Sequence, residues 1–229
     1  YGPFQNCPKL KSIEFPERTT YIGEAVFANS NIESVVLPST LTSVGYGAFM
    51  SAKSLKSVTF RTNSDGKTEL TEIAPSMFAS SGIEEIVIPE GVTAIAYGAF
   101  RYCYELKSVS IPSTVTVIGS SGIGSCSGGT YKPSSYEGDA FYGDIKLTSV
   151  IFEGDSKLTT IEEESFYQIA APELVLPASV TEIGMYAFRK SSIKKLSFET
   201  KAESEEAGAR SISALKKIGD YAFWDGGIH

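Results

Sequence analysis

Apolar and polar positions recur along this chain as a three-part phrase. The first part, L-x-x-V-x-L-P, is carried by Leu10, Ile13, Phe15 and Pro16, by Ile32, Val35, Leu37 and Pro38, by Ile83, Ile86, Ile88 and Pro89, and by Leu106, Val109, Ile111 and Pro112. The same frame continues through Leu55, Val58 and Phe60, through Leu147, Val150 and Phe152, through Leu174, Leu176 and Pro177, and through Ile193, Leu196 and Phe198. Its last two apolar positions lie two residues apart, which puts both side chains on one face of a short strand, and the Pro has no N–H with which to extend a ladder. The second part, V-T-x-I, as in Val92 to Ile95 and Val180 to Ile183, predicts another extended segment ending at Gly. The third is an Ala-Phe anchor, for which the spacing predicts a tight helical or 3₁₀ turn.

The phenylalanines fix the register. All 13 fall on phrase positions: nine at the anchor (Phe4, Phe27, Phe49, Phe78, Phe100, Phe141, Phe166, Phe188 and Phe223) and four at the strand end (Phe15, Phe60, Phe152 and Phe198). Successive anchors are 23, 22, 29, 22, 41, 25, 22 and 35 residues apart, a basic unit of 22 to 23 residues with loops added in places. A unit this small cannot bury its own apolar face, so neighbours must stack to share one core. The expected fold is a mainly β repeat solenoid of about nine units. Short parallel strands about 4.8 Å apart give a curved stack roughly 40 Å long. Residues 1–229 form one repeat domain in this reading, and because both ends fall within repeats it is expected to belong to a longer chain.

The combined phrase, L-x-x-V-x-L-P then V-T-x-I-G then x-x-A-F, resembles the BspA-like leucine-rich repeat family of bacterial surface proteins over essentially the whole chain. The Cys or Asn of the family pattern after the anchor survives here only as Cys7 and Cys103. The resemblance implies an extracellular or cell-surface protein that adheres to a host matrix protein or to another cell.

Composition narrows the chemistry. With 42% apolar and 21% charged residues the chain is ordinary for a folded protein, and no apolar run approaches the roughly 18 residues of a membrane-spanning helix, so no membrane insertion is expected. A net charge of −7, with Lys194-Lys195 as the longest basic run, argues against a nucleic-acid partner. His229 is the single histidine, which leaves no Ser-His-Asp or Cys-His arrangement and no histidine metal cluster. Gly119 to Gly129 lacks the Gly-Lys-Ser/Thr ending of a phosphate loop, and Asp139, Asp144 and Asp155 are not set in a D-x-D-x-D-G loop. No enzyme, cofactor or metal is expected, and the chain is read as a monomer. Cys7 and Cys103, four units and roughly 19 Å apart, cannot pair. Both are expected as small core residues, and a bridge from Cys103 to Cys126 stays open as an alternative.

Two surfaces remain as candidates for binding. The residues beside the central V of each strand point away from the core. One such column, Ser12, Ser34, Ser57, Glu85, Ser108, Ser149, Glu173 and Lys195, is mainly hydroxyl; the other carries Val36, Val87, Ile151 and Val175 towards solvent. An apolar series there is either a contact surface or a plain consequence of β-branched preference in strands. Insertions at residues 61–69, 153–157 and 199–214 leave from one edge, and the largest, Ser120 to Gly138, brings Tyr131 and Tyr136. Loops on a rigid frame often bind partners, although lengthening a loop costs only about 0.6 kcal/mol per doubling. The leading functional expectation is adhesion to an extracellular or host protein through the strand face or these loops. The alternative is a spacer that displays another domain.

Overall fold

A computed structural model describes residues 2–120, 139–199 and 214–226. Within them sixteen short strands alternate between two faces of a solenoid, and there is no helix, hence none long and apolar enough to cross a membrane. The first face holds β1 (Ser12–Glu14), β3 (Ser34–Leu37), β5 (Ser57–Phe60), β7 (Glu85–Val87), β9 (Ser108–Ile111), β11 (Ser149–Phe152), β13 (Glu173–Leu176) and β15 (Lys195–Phe198). The second holds β2 (Tyr21–Ile22), β4 (Ser43–Val44), β6 (Glu72–Ile73), β8 (Ala94–Ala96), β10 (Val117–Ser120), β12 (Thr160–Ile161), β14 (Glu182–Ile183) and β16 (Lys217–Ile218). All pairs are parallel and in the register of the repeat, with Val35 opposite Val58, Val109 opposite Val150 and Ile161 opposite Ile183. Pairing on the first face is interrupted between β5 and β7 and again between β11 and β13. At the second break Pro172 stands where other turns use an N–H, such as that of Lys107 or Lys194, to reach the preceding turn.

The alternation read from the sequence is the alternation of burial. Val35, Leu37, Val109, Ile111, Leu174 and Leu176 point inwards and are buried, while their strand neighbours are half-buried or exposed. The nine anchor phenylalanines form one unbroken column from Phe4 to Phe223, with ring centroids 5.1 to 5.6 Å apart and planes within 17° of parallel. Seven of the nine, Phe27 to Phe188, are fully buried. Burial of each contributes roughly 2 to 3 kcal/mol, and the offset stacking adds about 1 kcal/mol per pair.

The anchor is not helical, contrary to the expected helical or 3₁₀ turn. From Phe27 to Phe223 the residues two before and two after each anchor Phe adopt left-handed backbone: Ala25 and Asn29 around Phe27, Ser76 and Ser80 around Phe78, Glu164 and Gln168 around Phe166, Tyr186 and Lys190 around Phe188. A right-handed helix cannot run through two left-handed residues four apart. Their N–H groups instead point along the stack. Asn29 donates to Met50 O, Phe27 to Ala48 O and Ala25 to Tyr46 O, and the pattern repeats down the molecule, so the corner is a third hydrogen-bonded face. Only Gly47, Gly98 and Gly143 relieve the backbone cost at these positions.

Two consensus residues find their reason in the stacking. The Thr of V-T-x-I forms a ladder in which the hydroxyls of Thr93, Thr116, Thr159 and Thr181 each donate to the carbonyl of the corresponding Thr one turn back, at 3.0 to 3.1 Å. The Gly after it is needed for close approach, because a Cβ on Gly45 would lie 2.4 Å from Glu24 N and one on Gly184 2.6 Å from Glu163 N. Of the insertions, residues 61–69 turn back on themselves around Asn63, whose side chain accepts from the N–H groups of Asp65 and Lys67, and they dock through a bridge between Lys67 and Glu90.

Candidate interaction surfaces

The strand face places the predicted apolar residues in one column but not in one patch. Val87 is 70% exposed, Ile151 48% and Val175 49%, whereas Val36 is half-buried between Glu14 and Thr59 and is a weaker contact than its position suggests. Ser110 separates Val87 from Ile151, and Ile151 and Val175 lie on successive first-face strands. The residue at the start of each strand frame adds an ordered row of charge. Lys11 pairs with Glu33 at 2.6 Å, and Glu84 is shared by Lys107 at 2.8 Å and Lys56 at 3.0 Å. Those two ammonium groups, Lys107 foremost, hold the Glu84 carboxyl down at about 2. Arg61 reaches across from the insertion edge to Glu14 and Glu17.

The largest insertion, with Tyr131, Tyr136 and Cys126, lies outside the described residues from position 121 to 138. Cys103 is a free thiol, and the alternative of a bridge to Cys126 falls on a residue outside the described ones. Cys103 is fully buried, its Sγ donates to Phe78 O at 3.1 Å and lies 3.5 Å from the Ser81 hydroxyl, and burial followed by the neighbouring Asp144 pushes its pKa far up. This is the small core residue expected of it; Cys7 is half-buried at the equivalent position.

A surface that the sequence reading missed runs along the corner, one residue after each anchor. From the fifth turn onward that position holds Arg101, Tyr142, Tyr167, Arg189 and Trp224. The Arg101 guanidinium lies 4.9 Å from the ring centroids of both Tyr102 and Tyr142. Tyr142 and Tyr167 stack at 4.3 Å, and Arg189 lies 4.3 Å from Trp224, 4.9 Å from Tyr186 and 5.6 Å from Tyr167. Two arginines are thus interleaved with aromatic rings along the edge, each cation–ring contact being worth about 0.5 to 2 kcal/mol. Writing out the residue after each anchor Phe, and not only the apolar frame, would have exposed it.

Two acids are buried beneath this edge. Asp139 is 2% exposed and accepts from Arg101 Nη1 at 2.9 Å; burial pushes its carboxyl up to about 7 against the pull of that guanidinium. Asp144, which takes the position of Cys103 one turn later, is fully buried, and burial, opposed only by the backbone N–H of Cys103, raises its pKa well above the usual range. Among the described residues no three metal-ligating side chains converge.

Parallel strands, a stacked Phe column and a Leu/Ile/Val interior in 22-residue steps define a leucine-rich repeat solenoid, a class of typically non-enzymatic binding scaffolds. Six copies of the model for the BspA type leucine rich repeat region match residues 2–130 and 134–225, and the chain belongs to that family. A search of curated protein sequences returns no match. Among solved structures, a leucine-rich repeat protein from Eubacterium ventriosum is similar at 22% identity and a TM-score of 0.55, over 93% of this chain and 51% of its own. The pneumococcal vaccine antigen PcpA is similar at 19% identity and a TM-score of 0.52, over 97% of this chain and 60% of its own. This chain thus spans between half and two thirds of the length of these relatives.

Proposed function

We propose that this chain is a cell-surface interaction module that docks an extracellular protein, of a host matrix or another cell, on its first strand face. The observation that carries the reading is the exposure of Val87, Ile151 and Val175 at one frame position of the first strand face, beside which Glu84 is paired with Lys56 and Lys107. A partner covering such a face buries branched aliphatic groups without stripping water from isolated ions, which keeps the desolvation cost low. Membership of the BspA type repeat family, and the likeness of the fold to a vaccine antigen, support an extracellular setting. The test is biolayer interferometry against immobilised matrix proteins and cell-surface extracts. Val87→Glu combined with Ile151→Glu should leave folding within about 0.5 kcal/mol of wild type and weaken binding at least tenfold, about 1.4 kcal/mol. Unchanged affinity in the double variant overturns the strand face as the site, and failure of the wild type to bind any member of a broad panel replaces this reading with the spacer.

A further inference from the structure

The corner that follows each anchor comes in two lengths. Residues 79–82 separate Phe78 from Ile83, one residue fewer than residues 50–54 and 101–105 in the turns on either side. The short corner is held tightly against the turn before it: a Cβ on Gly82 would lie 2.1 Å from the Lys53 carbonyl oxygen. The two longer corners project past it and enclose a hollow of about 540 Å³, lined among others by Ser51, Lys53, Ser80, Tyr102, Tyr104 and Glu105. That volume falls within the range of small-molecule sites.

The lining combines a fixed aromatic wall with uncommitted donors. Tyr102 is held by Arg101: Nη2 donates to its hydroxyl at 3.3 Å, the same guanidinium lies against its ring, and Arg101 is itself anchored on the buried Asp139. The ring packs where Gly143 has no side chain, since a Cβ there would lie 2.8 Å from Tyr102 Cδ1. Tyr104 leans on Tyr102 with centroids 5.7 Å apart and leaves half of its surface open to solvent. The other charged groups of the wall are engaged, Lys56 with Glu84 and Glu105 with Lys146. The Lys53 ammonium and the hydroxyls of Ser51 and Ser80 have no ion pair or hydrogen bond among the described residues.

We propose that this hollow binds a saccharide through a pyranose ring that carries a carboxylate. A pyranose has an apolar C–H face that packs on an aromatic ring and a rim of hydroxyls that exchange hydrogen bonds with Ser51 and Ser80. The free ammonium of Lys53 meets the carboxylate, a charge-assisted contact stronger than a neutral one. Rigid walls lower the ordering cost of a small ligand, and the backing of Tyr102 by Arg101 and Gly143 supplies that rigidity. The site is separate from the strand-face stripe and stands or falls independently of it.

The experiment is an array of immobilised glycans, uronate- and sialate-terminated beside their neutral counterparts, probed with the labelled chain. Wild type should be retained on carboxylated glycans, Tyr104→Ala should lose at least tenfold of that binding, and Lys53→Gln should erase the preference over neutral glycans. Both residues are exposed, and thermal melting confirms that the variants fold. The double variant carrying Val87→Glu and Ile151→Glu should bind the same glycans as wild type, so loss of the strand-face reading leaves this one intact. No retention on any carboxylated glycan, equal retention on neutral ones, or full binding by Tyr104→Ala overturns the proposal.

Discussion

The first four turns and the last five share one corner backbone and differ in what they display on it. Both halves place a Phe in the same column, flank it with left-handed residues and pass N–H bonds to the next turn. The residue that follows the Phe is Gln5, Ala28, Met50 and Ala79 in the first half, where Ala28 and Ala79 are buried and Gln5 and Met50 half-buried. In the second half the same position carries Arg101, Tyr142, Tyr167, Arg189 and Trp224, with Asp139 and Asp144 beneath. The fold therefore resides in the inward column, and the outward one is free to carry chemistry. The hollow beside Tyr104 lies where the two halves meet.

The sharpest way to break the comparison is at the column common to both halves. Phe100→Ala removes a fully buried ring between Phe78 and Phe141 and should cost about 3 to 5 kcal/mol. Thermal and urea denaturation measure it, and a variant melting within a degree of wild type would show that the halves do not depend on a shared core.

A second effect belongs to the buried acids of the later half. Asp139 and Asp144 both hold protons in the folded chain at pH values where the unfolded chain has released them, because burial raises each above the ordinary range. By linkage the stabilisation is fully present below about pH 4 and declines as pH rises through about 7, where Asp139 titrates. The unfolding free energy from urea titration should fall between pH 5 and pH 8 by an amount on the order of 2 kcal/mol. Asp144→Asn should flatten the decline and raise the midpoint at pH 8; an unchanged slope assigns the decline to other groups.

The smallest effect compares the outward columns directly. Arg189→Ala loses its contacts with Trp224, Tyr186 and Tyr167 and should destabilise by about 1 kcal/mol, whereas Gln5→Ala should stay within about 0.5 kcal/mol. Equal changes in urea midpoint for the two would mean that the Arg and Tyr edge adds nothing to stability.

Register and repeat length were legible because Phe100, Val109 and Ile118 each do one physical job that the other turns repeat, so their spacing survives the insertions. The anchor conformation was not, since Ala25, Glu164 and Lys190 in left-handed backbone give none of the Gly or Asn signal by which such turns are usually read. Val87, Ile151 and Val175 were placed correctly on an outward column, yet Val36, half-buried between Glu14 and Thr59, shows that column membership does not fix exposure. The Arg and Tyr edge escaped a search for apolar periodicity because Arg101 and Arg189 interrupt it. The hollow beside Tyr104 depends on one missing residue in one corner, which no repeat consensus displays.

The left-handed corner has an evolutionary consequence. Seventeen positions flank the anchors in that conformation, filled by Asn, Ala, Gly, Ser, Tyr, Asp, Glu, Gln and Lys. A conformation that ordinarily selects Gly or Asn is imposed here by hydrogen bonds to the neighbouring turn, so nearly any side chain is admitted at a cost of about 1 to 2 kcal/mol that the stack absorbs. The outer corner is thereby released from the selection that preserves the fold, and mutation can revise its chemistry turn by turn while the architecture stays the same.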